Sequence, residues 1–271
     1  MKLAASLLVL LASINTFAAN NYYPKEFASR LERGSISKSE LKIALFNILT
    51  ASHQKLNGKK DTLGCIGGNG KCYQYKVLGY RGARKVLFGK LHLEQSSQGY
   101  YVKDVYCRKE ISNARTNIGP NKIPNSNIMN CEHTWPQSKF TSRFDKETQK
   151  SDLHHLYPTD SRANSVRGNY DFGDVGHGEL SNCSGSRSAG HGGKFEPPME
   201  HKGNVARALF YFSVRYQTPI NPSQERVLRD WHIQDPVDAD ERERNDGIFE
   251  VQKNRNPFID FPHLVDNISD F

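Results

Sequence analysis

The amino terminus decides the chemical environment in which this chain must fold. Lys2 is followed by an apolar run from Leu3 to Leu11, then by Ser13 to Phe17 and the small pair Ala18 and Ala19. A positive end, an apolar stretch and small residues at a cleavage point mark a secretory signal peptide. Residues 1–19 are therefore assigned to export and residues 20–271 to a single folded domain. An uncleaved membrane anchor is the weaker reading, because the stretch is short and no Cys follows it to carry a lipid. Export places Cys65, Cys72, Cys107, Cys131 and Cys183 where disulfides persist. Five is an odd number, so at most two bridges can form. Cys65 and Cys72 flank a Gly-rich run that lets the chain turn back, and that pairing is the one expected. A zinc knuckle is disfavoured, since no pair shows its short spacing.

With 271 residues, 37% of them hydrophobic, the chain can bury a substantial core and is too apolar for wholesale disorder. No internal apolar run reaches the roughly 18 to 20 residues that cross a bilayer, which excludes a multispanning membrane protein. Residues 37–53 predict an amphipathic helix, with Leu41, Ala44, Leu45, Ile48 and Leu49 on one face and a Ser37/Glu40 capping box. Residues 73–106 predict strands, from the alternation of Tyr73, Tyr75 and Val77 and the short segments holding Leu87, Leu91 and Leu93. A loop is expected over 113–127, a short strand over 128–133, and a helix after Pro158 capped by Thr159 or Asp160. Residues 173–203, rich in Gly, Ser and His, predict a long surface loop. Two further helices follow, one marked by Val205 to Tyr216 and one over Ser223 to Ile233, before a turn-rich end around Asp235-Pro236. One domain of mixed α and β elements is the simplest account.

Chemistry concentrates in two stretches. In Asn130-Cys131-Glu132-His133-Thr134-Trp135-Pro136 a carboxylate and an imidazole sit side by side at a strand end. Asp152-Leu153-His154-His155-Leu156-Tyr157-Pro158 follows and leads into Arg162-Ala163-Asn164-Ser165-Val166-Arg167-Gly168. Oxygen ligands such as Glu132 and the Asn164 carbonyl suit hard divalent ions that also bind phosphate oxygens. A neutral His nearby can take a proton from a water attacking phosphorus. Guanidinium groups match phosphate with paired donors. Metal, base and anion clamp together point to phosphodiester hydrolysis. Singly, each residue has a blander reading: a Glu-His pair as a solvated strand end, Asn164 as a turn residue.

In these stretches, and in Asn254-Arg255-Asn256-Pro257-Phe258 near the end, the chain resembles the bacterial endonuclease I family of secreted or periplasmic nucleases. The resemblance implies an α+β fold with a ββα-metal (His-Me finger) core, surrounded by helices and long loops. It implies His133 as general base, and Glu132 and Asn164 as holders of Mg²⁺, with Mn²⁺ or Ca²⁺ as substitutes. The phosphate-contacting Arg is assigned to Arg143, with Lys139 and Lys150 behind it, and Arg162 and Arg167 as further substrate contacts. His154 and His155 are expected to support or pack behind the site, with His155 the nearer. His177 and His191 are expected to be exposed in the Gly-rich loop, and Lys202, Arg207 and Arg215 to form a solvated helix face.

The net charge of +8, from 37 Lys and Arg against 29 Asp and Glu, favours a polyanionic partner. No base-reading module is present, which agrees with sequence-tolerant contact to phosphates. DNA is the expected substrate, with RNA a second. No membrane contact and no protein partner are inferred, and a monomer is expected. The alternative is a secreted nucleic-acid-binding protein without catalysis, although such a protein need not keep Glu132, His133 and Asn164 together. A zinc hydrolase ranks last, for want of a His-Glu-x-x-His run.

Overall fold

The structure, a computed structural model, describes residues 21–36, 38–65 and 71–271. The expected export segment, the Ser37 half of the capping box and the turn at 66–70 lie outside the described residues. From the amino end, α1 (Lys25–Glu32) leads to α2 (Lys38–Thr50), which buries Leu41, Leu45, Ile48 and Leu49, the face that its periodicity predicts. Three short strands follow, β1 (His53–Gln54), β2 (Thr62–Leu63) and β3 (Cys72–Tyr73), with β1 in the middle. The expected Cys65–Cys72 bridge staples this sheet, a second bridge joins Cys107 to Cys183, and Cys131 remains a buried thiol.

Residues 73–106 are not all strand. The chain forms α3 (Tyr80–Val86), which widens into a π turn over Leu87–Leu91, and only then β4 (Leu93–Ser96) and β5 (Gly99–Lys103), joined by β6 (Glu110–Ser112). Ala83, Leu87 and Phe88 share one buried face at helical spacing, a period obscured by the glycines on either side, Gly82 and Gly89. Gly89 is required in the π turn, where a Cβ would come within 2.5 Å of the Asn121 backbone nitrogen. Residues 113–127 form the loop expected.

The element that matters for function comes next. β7 (Met129–His133) is followed by α4 (Lys146–Lys150) and a 3₁₀ turn over Leu153–His155, and then by β8 (Leu156–Asp160). β8 runs antiparallel to β7, with Glu132 opposite Tyr157 and His133 opposite Leu156. It passes directly into α5 (Ser161–Arg167), which packs on both strands. Asp160 is the cap: its carboxylate accepts the N–H groups of Arg162 and Ala163. Thr159 is instead buried in the strand, donating its hydroxyl to Asp104.

The long loop expected over 173–203 is partly sheet. β9 (Asp171–Phe172) lies parallel to β11 (Lys194–Glu196), which pairs antiparallel with β10 (Arg187–Ser188), and Phe172 and Phe195 are fully buried. α6 (Met199–Tyr216) then runs through the interior, against α2 and α7 (Pro222–Gln234). Lys202, Arg207 and Arg215 on α6 are therefore buried, not a solvated face. Lys202 is held by Glu196 at 2.6 Å and Asp174 at 3.1 Å, Arg207 by Glu241, and Arg215 by Asp152 at 3.4 Å. A buried charge needs such a partner. The partners for all three come from other segments, so charge spacing along the helix could not reveal them. Beyond Asp235-Pro236 the end is helical, with α8 (Ala239–Gln252) and α9 (Pro257–Asp260). Helices packed around small separate sheets make this an α+β fold, the class expected.

Candidate active site

Neighbouring side chains on a strand diverge, yet Glu132 and His133 line one cavity of about 360 Å³, together with Asn164, Arg167, Gln137 and Tyr80. The bend that allows this is held by Arg167. Its guanidinium donates to the carbonyls of Thr134 at 2.7 Å, Gly168 at 3.1 Å and His133 at 3.4 Å, and its Nε lies 3.2 Å from Glu132 Oε1. The turn after β7 is thereby bound to the end of α5, and Asn164, one helical turn before Arg167, reaches the same cavity.

Glu132 is buried, and Tyr106 donates its hydroxyl to Oε1 at 2.9 Å. Burial pushes the Glu132 carboxyl above its ordinary pKa, opposed by Arg167 and by the Tyr106 hydrogen bond. His133 Nε2 lies 3.1 Å from the Lys150 carbonyl. A carbonyl only accepts, so Nε2 carries the proton and Nδ1 keeps its lone pair. Nδ1 faces the Gln137 amide at 3.4 Å. Burial, with His155 adjacent, lowers the His133 pKa to about 3, so the ring is neutral at physiological pH.

His154 and His155 leave their turn in different directions. His155 is 5.6 Å from the His133 ring, packs on Phe212 and donates Nε2–H to the Gln149 carbonyl at 2.7 Å. His154 packs on Tyr211 and donates to the Asn254 carbonyl at 3.2 Å. Neither lines the cavity. Asp152 sits below them, accepting the Tyr211 and Tyr216 hydroxyls at 2.8 Å each.

The basic residues are distributed differently from expectation. Arg143 is exposed in the turn before α4 and does not line the cavity. Lys139 is paired with Asp171 at 2.6 Å, and Arg162 borders a separate cavity beside Asp160 and Glu179. Arg84 of α3 and Lys150 of α4 do not line the cavity either, but they approach Tyr80 of its wall, 5.3 Å and 4.4 Å from the centre of the ring. Tyr80 is itself 5.5 Å from the His133 ring. Arg84 Nε is buried without a hydrogen-bond partner, and Arg84 has no ion pair among the described residues. Sequence inspection missed Arg84 because the segment holding it reads as strand and lies far upstream of the motifs. Tyr106, which fixes Glu132, carried no signal either.

Among the described residues, no three or more His, Cys, Asp or Glu side chains gather as a metal cage. The donors at the cavity are oxygens, from the Glu132 carboxylate and the Asn164 amide. Such a sparse oxygen set suits a hard divalent ion that keeps most of its water.

The family model described as Endonuclease I matches residues 39–263, which include the whole cavity. An extracellular ribonuclease of Bacillus subtilis (strain 168) is 41% identical over 161 residues, covering 51% of this chain and 53% of that protein. An extracellular deoxyribonuclease of Aeromonas hydrophila is 31% identical over 117 residues, 41% of this chain and 50% of that protein. Endonuclease-1 of Buchnera aphidicola subsp. Acyrthosiphon pisum (strain APS) is 28% identical over 111 residues, 41% of this chain and 44% of that protein. The chain thus spans about half the length of the curated relatives it matches. No helix among the described residues is long and apolar enough to cross a membrane.

Proposed function

The chain belongs to the endonuclease I family, and from that premise we propose that it is an exported, metal-dependent endonuclease that hydrolyses DNA and RNA with little sequence preference. The observation that carries this reading is a neutral His133 ring whose Nδ1 bears a lone pair and no proton, in the same cavity as Glu132 and Asn164. We read β7, β8 and α5 as the ββα-metal core. The extracellular and periplasmic names of the relatives support export, and the ribonuclease name of the 41% identical relative supports RNA as a substrate beside DNA.

In this mechanism His133 Nδ1 takes the proton from the attacking water. The Nε2–H bond to the Lys150 carbonyl holds the ring and supports the positive charge it acquires. Glu132 and Asn164 would hold a Mg²⁺-type ion, whose chemistry is to neutralise charge on the phosphate and the leaving oxygen. Tyr106 and Arg167 bind Glu132 through Oε1, which orients the carboxylate and opposes the upward shift that burial imposes on its pKa. Arg167 commits its other donors to backbone carbonyls, which makes it a brace for the bend. The anion clamp falls to Arg84 and Lys150, whose donors have no carboxylate to satisfy them.

Purified protein should nick supercoiled DNA and degrade linear DNA, single-stranded DNA and RNA in Mg²⁺, and EDTA should stop it. Cutting that persists after thorough chelation would overturn the metal-dependent reading. Arg84→Ala should lower the cleavage rate by about 10²- to 10³-fold, the usual effect of removing one donor aimed at developing charge. Its melting temperature should hold, because no ion pair is lost, and Arg84→Lys should restore part of the rate. Full activity in Arg84→Ala would remove it from the mechanism.

A further inference from the structure

A second concentration of uncompensated positive charge lies away from the catalytic cavity. A cleft of about 640 Å³ opens between the β1–β3 sheet and the end of α8. Five cations, Lys55, Lys71, Arg242, Lys253 and Arg255, line it against three carboxylates, so its wall is net positive. Asp61 accepts the Tyr73 hydroxyl at 2.5 Å and the Leu56 N–H at 3.2 Å, while Asp246 and Asp260 both hold Arg255 at 2.7 Å. Lys55, Lys71 and Lys253 line the same cleft and have no ion pair among the described residues. Lys55 and Lys71 are placed directly across from one another, the Lys55 N–H donating to the Lys71 carbonyl at 2.9 Å in continuation of the β1–β3 register. Like charges in that position repel. An anion bound between them removes the repulsion.

We propose that this cleft is a second nucleic-acid subsite, gripping the phosphate backbone of the same molecule whose scissile diester lies at His133; the proposal rests on the nuclease reading above. The spacing permits it. Cys72 is in the cleft wall and Tyr80 in the wall of the catalytic cavity. The chain between them can span at most about 28 Å, or about eight base steps of a duplex. That connecting segment is fixed in place, with the Lys76 N–H on the Gln252 carbonyl at 2.8 Å and the Tyr75 hydroxyl on the Thr148 carbonyl at 3.2 Å. It also presents exposed Lys76 between the two sites. The contact is electrostatic, so it lends affinity without reading sequence.

The test is the triple variant Lys55→Gln/Lys71→Gln/Lys253→Gln. Binding of a labelled 24-base-pair duplex is measured in EDTA over a salt series, and cleavage of the same duplex is measured in Mg²⁺. The variant should bind at least about tenfold more weakly at 0.15 M salt, with a log–log salt slope shallower by about 2 to 3, one counterion contact per lysine. At saturating duplex its cleavage rate should match wild type, and binding of a trinucleotide, too short to reach both sites, should be weakened less than that of the duplex. Unchanged duplex affinity and slope would overturn the subsite, as would equal weakening for the trinucleotide or a loss of rate at saturation. Wild-type protein that binds the duplex in EDTA but never cleaves it in Mg²⁺ would instead count against the nuclease reading.

Discussion

Replacing His133 with alanine should lower phosphodiester cleavage by about 10²- to 10⁴-fold, the range lost with a general base, while duplex binding in EDTA changes less than about twofold. The binding readout separates loss of the base from loss of the fold. His133→Gln, which fills more of the space beside Tyr80, Phe140 and His155, should be equally inactive. Because burial holds the ring's pKa near 3, it stays unprotonated throughout the neutral range. Wild-type rate, followed on folded protein, should therefore show no acid limb centred near 6.5, the value of an exposed imidazole. A break at that pH, removed by substituting His133, would mean that the ring is solvated, and the buried-base assignment would fall with it.

Buried histidines should set the acid limit of this protein's stability. Burial lowers the pKa of His154 and His201 to about 3 and of His155 to about 4, and drives His92 well below its ordinary value. In the unfolded chain each takes a proton near 6.5. Above that pH neither state binds the proton and the four residues leave stability unchanged. As pH falls through 6.5 the unfolded state alone gains protons, and each histidine subtracts about 1.4 kcal/mol per pH unit until its folded pKa is reached. One unit below 6.5, the four together remove about 6 kcal/mol, comparable with the whole stability of a marginal domain. Glu132 and Glu241, with raised pKa values, act in the opposite direction but are fewer. Near-UV circular dichroism should report a cooperative loss of tertiary structure with a midpoint between about pH 4 and 6. His201→Phe, which removes a ring whose Nε2 has no partner, should move that midpoint down. An unmoved midpoint would show that the buried histidines do not govern acid stability.

The residues of the cavity were legible to different degrees, for physical reasons. Glu132 and His133 stood out as neighbours at a strand end, and Asn164 within a second stretch that resembles the family's; only packing brings the two stretches to one cavity. Asp160 could be named as a cap because a cap acts over two or three residues. Arg84 could not, since its distance from the cavity depends on how α3 docks, although its contact with Tyr80 is a local i,i+4 pair. The same holds for Lys202, Arg207 and Arg215. Their spacing along α6 is equally compatible with water or with Glu196, Glu241 and Asp152, which are brought to them from other parts of the chain.

The sequence by itself determined the chemistry on offer: the acid, the imidazole and the amide, the close pair Cys65 and Cys72, and the helical face of α2. These are local properties, set by side-chain type and by separations of a few residues. The tertiary structure alone decided which ring nitrogen of His133 keeps its lone pair, since the Lys150 carbonyl accepts a hydrogen bond from the other. It also decided that Arg167 braces the bend and that Cys107 closes on Cys183. A proton's location and a buried charge's partner depend on groups distant in the chain, and only packing brings those groups within hydrogen-bonding distance.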